Sequence, residues 1–229
     1  MNLQDFYDGK SGKYKVCFDK CSVLSKMLSW IDSGKTILDI GCADGAFGAE
    51  LKKKGNTVYG FEISKSSAEK ASHILDGVVV GNIEKDTLPY KEKNFDIIIC
   101  ADVLEHLYDP TSILIKLKKH LKDEGKIIIS IPNIAHSSIR RALLFGRFEY
   151  TDIGLLDNSH IRFFTLNTAK KMIKEAGFKI QDFDATTDFN KAINYYLNAL
   201  LKQLRWSVFP GLYGYQFLFL LNKKTTNES

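Results

Sequence analysis

Apolar residues fall in short consecutive blocks along the first part of the chain. Residues 36–40 (TILDI), 57–61 (TVYGF), 77–80 (GVVV), 95–100 (FDIIIC) and 126–131 (KIIISI) are such runs, rich in Ile and Val. Consecutive rather than alternating apolar positions predict strands covered on both faces. Segments of helical length separate them. Residues 46–54 carry Phe47 and Leu51 on one face and end in three lysines and Gly55. Cations and a glycine are expected where a helix stops. Residues 111–122 place Ile113, Leu114, Leu117 and Leu121 at three- and four-residue spacing, with lysines on the solvated face. This alternation predicts a doubly wound, mostly parallel α/β sheet of seven strands, Rossmann-like, with ligands beyond the C-terminal strand ends at the switch point.

The pattern breaks after residue 131. Residues 134–164 show no clear strand period and hold Arg140, Arg141, Arg147 and Arg162 among Phe145, Phe148, Tyr150, Phe163 and Phe164. They predict a cap inserted after strand five. A helix is expected over 166–176, stopping at Gly177, then a half-exposed strand over 178–184. An amphipathic helix over 190–204 and a last buried strand over 215–221 follow. The reading is one domain over 1–229, with an N-terminal helical lid at 1–34 and the cap at about 134–164. Apolar residues between Tyr195 and Leu204 either pack on the sheet or form a partner interface.

Composition narrows the class without deciding it. The 229 residues are 45% apolar and 26% charged, ordinary for a soluble domain with a substantial core. A formal net charge of +5 is mild and does not by itself imply a nucleic-acid partner. Cysteines 17, 21, 42 and 100 make no CxxC pair, and Cys42 and Cys100 sit among apolar residues. Reduced thiols in the cytoplasm are expected. Neither a signal peptide nor a membrane-spanning run is expected.

The candidate chemistry begins at Asp39-Ile40-Gly41-Cys42-Ala43-Asp44-Gly45, where an apolar run enters a glycine turn and then a helix. The GxxxG spacing departs from the GxGxxG turn that seats a pyrophosphate, which argues against a dehydrogenase. Asp39 and Asp44 would repel a phosphate and suit a cofactor carrying an amino or sulfonium cation. Glu62 ends the second run 21 residues after Gly41, where an acid accepts ribose hydroxyls. Asn82-Ile83, after the third run, could read an adenine edge.

LDIGCADGAFG, YGFEIS, GNIE, FDIIICADVLEHLYDP and GKIIISIPN together resemble the motifs of the class I S-adenosylmethionine (SAM)-dependent methyltransferase superfamily, over roughly residues 36–185. Within it, the chain is similar to the ubiquinone-biosynthesis-type O-methyltransferase group. It implies SAM as cofactor. Asp39, Gly41 and Gly45 would line the methionine end, Glu62 would bind the ribose, and Asn82 and Ile83 would contact adenine. Cys42, Ile63 and Ala101 complete the candidate cofactor set. Asn82 stands where many members have Asp.

Methyl transfer to a hydroxyl needs the acceptor positioned and its proton removed. Asp102, Glu105 and His106 follow the fourth run and would share a face in a helical turn. His106 and His160 are the candidate bases. Asp102, Glu105, His106 and His160 form a candidate divalent-metal set, resembling the Glu-x-x-Glu-His motif of the ubiquinone enzymes and of small-RNA 2′-O-methyltransferases, with Asp102 in place of the first Glu. The Asn/Asp-Pro-Pro-aromatic signature of exocyclic-amine methyltransferases is missing after the fourth run, so DNA is not an expected partner. The cap arginines and aromatics suit an anionic or glycosidic small molecule. O-methylation of a sugar, nucleotide-sugar or related metabolite is the expected reaction. The alternatives are metal-dependent 2′-O-methylation of RNA ends, which the modest charge disfavours, and a SAM-binding protein without turnover.

Overall fold

The computed structural model describes residues 7–8, 22–186 and 209–224. Seven strands form one sheet: β1 (Thr36–Ile40), β2 (Thr57–Glu62), β3 (Gly77–Val80), β4 (Phe95–Ala101), β5 (Leu121–Pro132), β6 (Phe178–Thr186) and β7 (Gln216–Lys223), in the order β3-β2-β1-β4-β5-β7-β6. The pairs from β3 to β5 are parallel, and β7 runs antiparallel between β5 and β6. The mostly parallel doubly wound sheet expected from the apolar runs is therefore the fold.

Alternate positions of the central strands feed two cores. Ile37, Ile97, Ile99, Ile128, Leu218 and Leu220 pack on one face under helices α1 (Val23–Ser29) and α2 (Ala46–Lys53), through Met27, Phe47 and Leu51. Leu38, Ile98, Cys100, Ile129 and Phe219 pack on the other, under Leu114 and Leu117 of α4 (Pro110–Lys118) and Met172 and Ile173 of α6 (Leu166–Glu175). Each such side chain contributes roughly 1.5–3 kcal/mol on burial. Covering both faces is what makes these strands read as unbroken apolar runs.

Helix starts are set locally. Ser64 caps α3 (Lys65–Ser72) by accepting Ser67 N. Asp109 caps α4, with Pro110 in the first turn, and Thr165 and Thr168 form a reciprocal capping box on α6.

Two local expectations change. The helix over 111–122 stops at Lys118. Leu121 instead pairs with Phe95, and the ladder resumes only at Ile97–Lys126. The charged excursion between them closes on Gly125, where a Cβ would meet backbone atoms at 3.0 Å. Residues 134–164 contain a helix, α5 (Ser137–Leu144), that the apolar pattern did not announce. Only Ile139 is buried on it, while Leu143 and Leu144 are exposed, so its apolar positions do not mark a core face. Ile139, Leu155 and Leu156 make a small separate core. The short helix α7 (Pro210–Tyr213) leads into β7. The helix expected over 190–204 lies outside the described residues, as does most of the 1–34 segment. Among the described residues, no helix is long and apolar enough to cross a membrane.

Candidate active site

The strand order reverses between β1 and β4, so the loops leaving their C-terminal ends diverge and open a crevice. The turn after β1 is built for close backbone approach. Gly41 has φ 71° and Gly45 φ 83°, both left-handed. A Cβ on Gly41 would lie 2.8 Å from Val103 Cγ2, and one on Gly45 3.1 Å from the Ala71 Cα. Between them Ala43 also takes a positive φ, 48°, which a non-glycine residue adopts only when held.

Glu62 does the holding. Its Oε2 accepts Ala43 N at 2.9 Å and its Oε1 accepts Ser64 N at 2.8 Å. Each oxygen keeps a further lone pair for a hydroxyl donor. Burial raises the Glu62 carboxyl above its ordinary range, opposed by these backbone N–H groups. Asp39, buried at the end of β1, is pushed up to about 7, first by burial and then by the charge of Glu62. Asp44 accepts Ala46 N at the start of α2. The Cys42 side chain points into the core: a Cβ on Gly60 would lie 2.5 Å from its Sγ, so Cys42 can offer the crevice only its backbone.

On the β2–β3 side, Ile63 is half-buried and Ile83 buried. Asn82 Oδ1 accepts Glu84 N at 2.9 Å, and Asn82 N donates to Asp86 Oδ2 at 2.7 Å. Ala101, half-buried, ends β4 opposite Ser130.

The segment after β4 departs from the expected helical turn. Asp102 takes φ 54°, and the 3-10 turn that follows is Leu104–His106. Asp102 thus leaves the face shared by Glu105 and His106. Its Oδ1 accepts Ser130 Oγ at 2.6 Å and Gln216 Nε2 at 2.8 Å, tying the ends of β4, β5 and β7 together. The candidate metal set shrinks accordingly: ligand atoms of Glu105, His106 and His160 lie within 4.8 Å of one another, and Asp102 is not among them.

Glu105 is 1% exposed, and among the described residues neither carboxylate oxygen has a hydrogen-bond partner. Burial first, and the charge of Asp102 second, hold its carboxyl well above the carboxylate range. His160 Nε2 lies 3.9 Å from Glu105 Oε1. Burial first, then His106, lowers the His160 pKa. Both shifts disfavour the charged forms, so the 3.9 Å approach is not held by an ion pair's charges. His160 Nδ1 faces the Leu155 carbonyl at 3.3 Å and His106 Nδ1 faces the Ser159 carbonyl at 3.1 Å. A carbonyl can only accept, so both Nδ1 atoms carry a proton, and the lowered pKa of His160 favours a basic Nε2 there. The rings lie 4.8 Å apart, edge to face. Two imidazole nitrogens and a carboxylate are suitable donors for a divalent ion. Ligands on a tetrahedral zinc stand about 3.4 Å apart, so this set would have to contract to hold one.

Residues 159–162 clamp onto this turn. The Glu105 carbonyl accepts Ile161 N at 3.0 Å and Arg162 N at 2.9 Å. Arg162 Nε donates to the Tyr108 carbonyl at 2.9 Å and Arg140 Nε to Ala135 O at 2.8 Å, so two of the four arginines are engaged within the protein. Arg141 and Arg147 are exposed.

Several site residues escaped sequence reasoning. Tyr7 stands edge-on to His106 at 6.0 Å, its hydroxyl pKa raised by burial and by Glu105. Asp8 accepts Ser64 Oγ at 2.6 Å and Ser66 N at 3.1 Å at the start of α3. Ser130, Gln216 and Glu84 also belong here. No local motif marks any of them.

A family model described as a methyltransferase domain matches residues 14–182. The chain belongs to that family. Among curated relatives, the methyltransferase is 26% identical over 167 residues to the ubiquinone biosynthesis O-methyltransferase of Acinetobacter baylyi, covering 68% of this chain and 70% of that one. It is 23% identical over 197 residues to the enzyme of the same description from Neisseria meningitidis, covering 81% and 82%. SAM-dependent methyltransferases from Aquifex aeolicus and Archaeoglobus fulgidus share the fold, with TM-scores of 0.63 and 0.62 at 17% and 15% identity. The former alignment covers 93% of this chain and 97% of that one, the latter 96% and 94%. The protein is a SAM-dependent methyltransferase of class I fold. Its crevice fits that cofactor: the turn has no room for a Cβ at Gly41, and Glu62 is a buried acceptor with lone pairs to spare.

Proposed function

We propose that this methyltransferase methylates a hydroxyl oxygen of a small molecule with an apolar or aromatic body, in the cytoplasm. Asp39, Gly41, Gly45 and the Cys42 backbone would hold the methionine end of SAM, Glu62 and Ile63 the ribose, Asn82 and Ile83 the adenine, with Ala101 at the edge of the crevice. Residues 134–164 act as the cap over the acceptor, and the N-terminal segment carrying Tyr7 acts as a lid.

The observation that carries this reading is His160, whose Nδ1 faces the Leu155 carbonyl and whose Nε2 stands 3.9 Å from buried Glu105, with the His106 ring 4.8 Å away. SAM supplies a methyl group made electrophilic by a sulfonium. The chain must orient the acceptor hydroxyl and receive its proton, and a neutral imidazole is the group for that. Its O-methyltransferase relatives support oxygen as the methylated atom. From His160 an aromatic series leads outward through Phe163 at 6.5 Å to Phe148 and Tyr150, at 6.1 and 6.5 Å from Phe163. Such faces suit a planar or apolar acceptor. The anionic and glycosidic expectations have less behind them: Arg140 and Arg162 are engaged with carbonyls, and the relatives lend a sugar acceptor no support.

A second reading, a divalent ion on Glu105, His106 and His160, is favoured by the two Glu105 oxygens, which find no hydrogen-bond partner among the described residues. It is the form that methylation of RNA ends would take.

The test is S-adenosylhomocysteine formation with panels of catechols, sugars and nucleotide-sugars, and short RNAs, each with and without EDTA. Turnover with a catechol that survives EDTA is expected. Turnover confined to sugars or RNA would overturn the acceptor class, and loss in EDTA would replace the base by a metal.

A further inference from the structure

The loop after β3 and the 134–164 segment meet on one stretch of backbone. Glu84 Oε1 accepts Tyr108 N at 2.7 Å and Asp109 N at 3.3 Å. From the other side, the Tyr108 carbonyl accepts Arg162 Nε at 2.9 Å and also Arg162 Nη2. We propose that Glu84 and Arg162 are positioning residues which, through the Tyr108–Asp109 amide, tie the loop that seats adenine to the segment that carries His160. Binding at the cofactor loop then steadies the acceptor side. The inference rests on the reading above that Asn82 and Ile83 contact adenine.

The chemistry at the joint is favourable in one direction. The Asp109 N–H and the Tyr108 C=O belong to the same planar amide. A carboxylate on the N–H and a guanidinium on the C=O polarise that amide in the same sense, so each charge-assisted bond strengthens the other. Both ends are anchored. On the cofactor side, Asn82 Oδ1 accepts Glu84 N, and Lys116 Nζ on α4 donates to the Ile83 carbonyl at 2.7 Å and to that of Asp86. On the acceptor side, Ile161 N and Arg162 N donate to the Glu105 carbonyl, and His106 Nδ1 holds the Ser159 carbonyl. A shift of the 82–84 loop would therefore be passed to Tyr108–Asp109, two residues after His106, and to Arg162, two residues after His160. The Tyr108 side chain is 70% exposed and takes no part. Only its backbone is used.

Amide hydrogen exchange on the full chain, with and without S-adenosylhomocysteine, tests this without an acceptor. In the wild type, the ligand should slow exchange at 82–85 and also at Tyr108, Ile161 and Arg162. Glu84→Ala should keep protection at 82–85 but lose roughly fivefold of it at 161–162, about the worth of one net hydrogen bond. Glu84→Gln, whose amide oxygen still accepts, should restore most of that, and Tyr108→Ala should behave as wild type. Arg162→Ala should repeat the Glu84→Ala pattern from the other end, which keeps the test available where Glu84→Ala folds poorly. A residue that merely stabilises the fold would change exchange equally with and without ligand. Wild-type protection at 161–162 in both alanine variants overturns the proposal, as does a wild type protected at 82–85 and not at 161–162. Bound ligand with no protection at 82–85 is a different pattern: it overturns the adenine assignment, and the coupling with it.

Discussion

His160 Nε2 and Glu105 Oε1 stand 3.9 Å apart, and burial moves the two groups toward their neutral forms. This has a consequence for stability. Glu105 has a raised pKa in the folded protein, so between the unfolded value of about 4.3 and its folded value the native state binds more protons than the unfolded one. Stability contributed by the neutral acid is present below that unfolded value and is lost as pH rises. Glu105→Gln should therefore melt close to wild type in acid and above it at pH 8. Thermal melts across that range check it. A variant that melts lower than wild type at pH 8 would show that the Glu105 charge is paired after all.

The base assignment has its own pH signature. His160 must be neutral to accept a proton, and its pKa lies below its ordinary value because of burial and His106. The plateau of kcat/KM should then extend down through neutrality, with the acid limb below about pH 6.5. His160→Ala should lower kcat by roughly 10²–10⁴-fold while S-adenosylhomocysteine affinity, measured by calorimetry, stays within a few-fold. An unchanged kcat would return His160 to a purely structural role.

The cofactor half of this site was legible in the sequence, and the acceptor half less so, for a physical reason. Strands covered on both faces must be apolar at consecutive positions, and a turn with no room for a Cβ must be glycine. Both constraints are written locally, as at Ile97–Cys100 and Gly41. The Asp102 environment is not local. Its partners Ser130 and Gln216 lie 28 and 114 positions away, the first brought by the parallel pairing of β4 with β5 and the second because β7 inserts antiparallel between β5 and β6. The i, i+3 spacing of Asp102 and Glu105 suggested a shared helical face, and a left-handed residue at Asp102 cancelled it. Tyr7, which meets His106 across nearly a hundred residues, has no neighbour in the chain that announces it.

Glu62 and the glycine turn make a sharp prediction because both Glu62 oxygens accept backbone N–H groups. Glu62→Gln would turn an amide N–H against either Ala43 N or Ser64 N. One buried donor would lose its partner and a second would be left unsatisfied, at about 1–3 kcal/mol. Ala43 would then no longer be held at positive φ, and the turn should relax. The expected result is a lower melting temperature together with at least tenfold weaker S-adenosylhomocysteine binding, equal to about 1.4 kcal/mol. Weakened binding with an unchanged melting temperature would mean that Glu62 serves the ligand alone and does not hold the turn.

Asp102 separates a structural role from a ligand role by the choice of substitution. Its Oδ1 accepts from both Ser130 Oγ and Gln216 Nε2, and its backbone is left-handed. Asparagine retains a carbonyl oxygen and tolerates that conformation better than most residues. Asp102→Asn should therefore stay within about 1 kcal/mol of wild type and keep most activity. Alanine keeps neither bond and strains the turn. Asp102→Ala should lose about 1–3 kcal/mol, since the buried Ser130 hydroxyl loses its acceptor, the exposed Gln216 bond is lost and the residue stays left-handed. Urea denaturation of both variants, paired with turnover, is the measurement. A stable Asp102→Asn protein that has lost its activity would show that the negative charge itself is needed, and would return Asp102 to the candidate metal set.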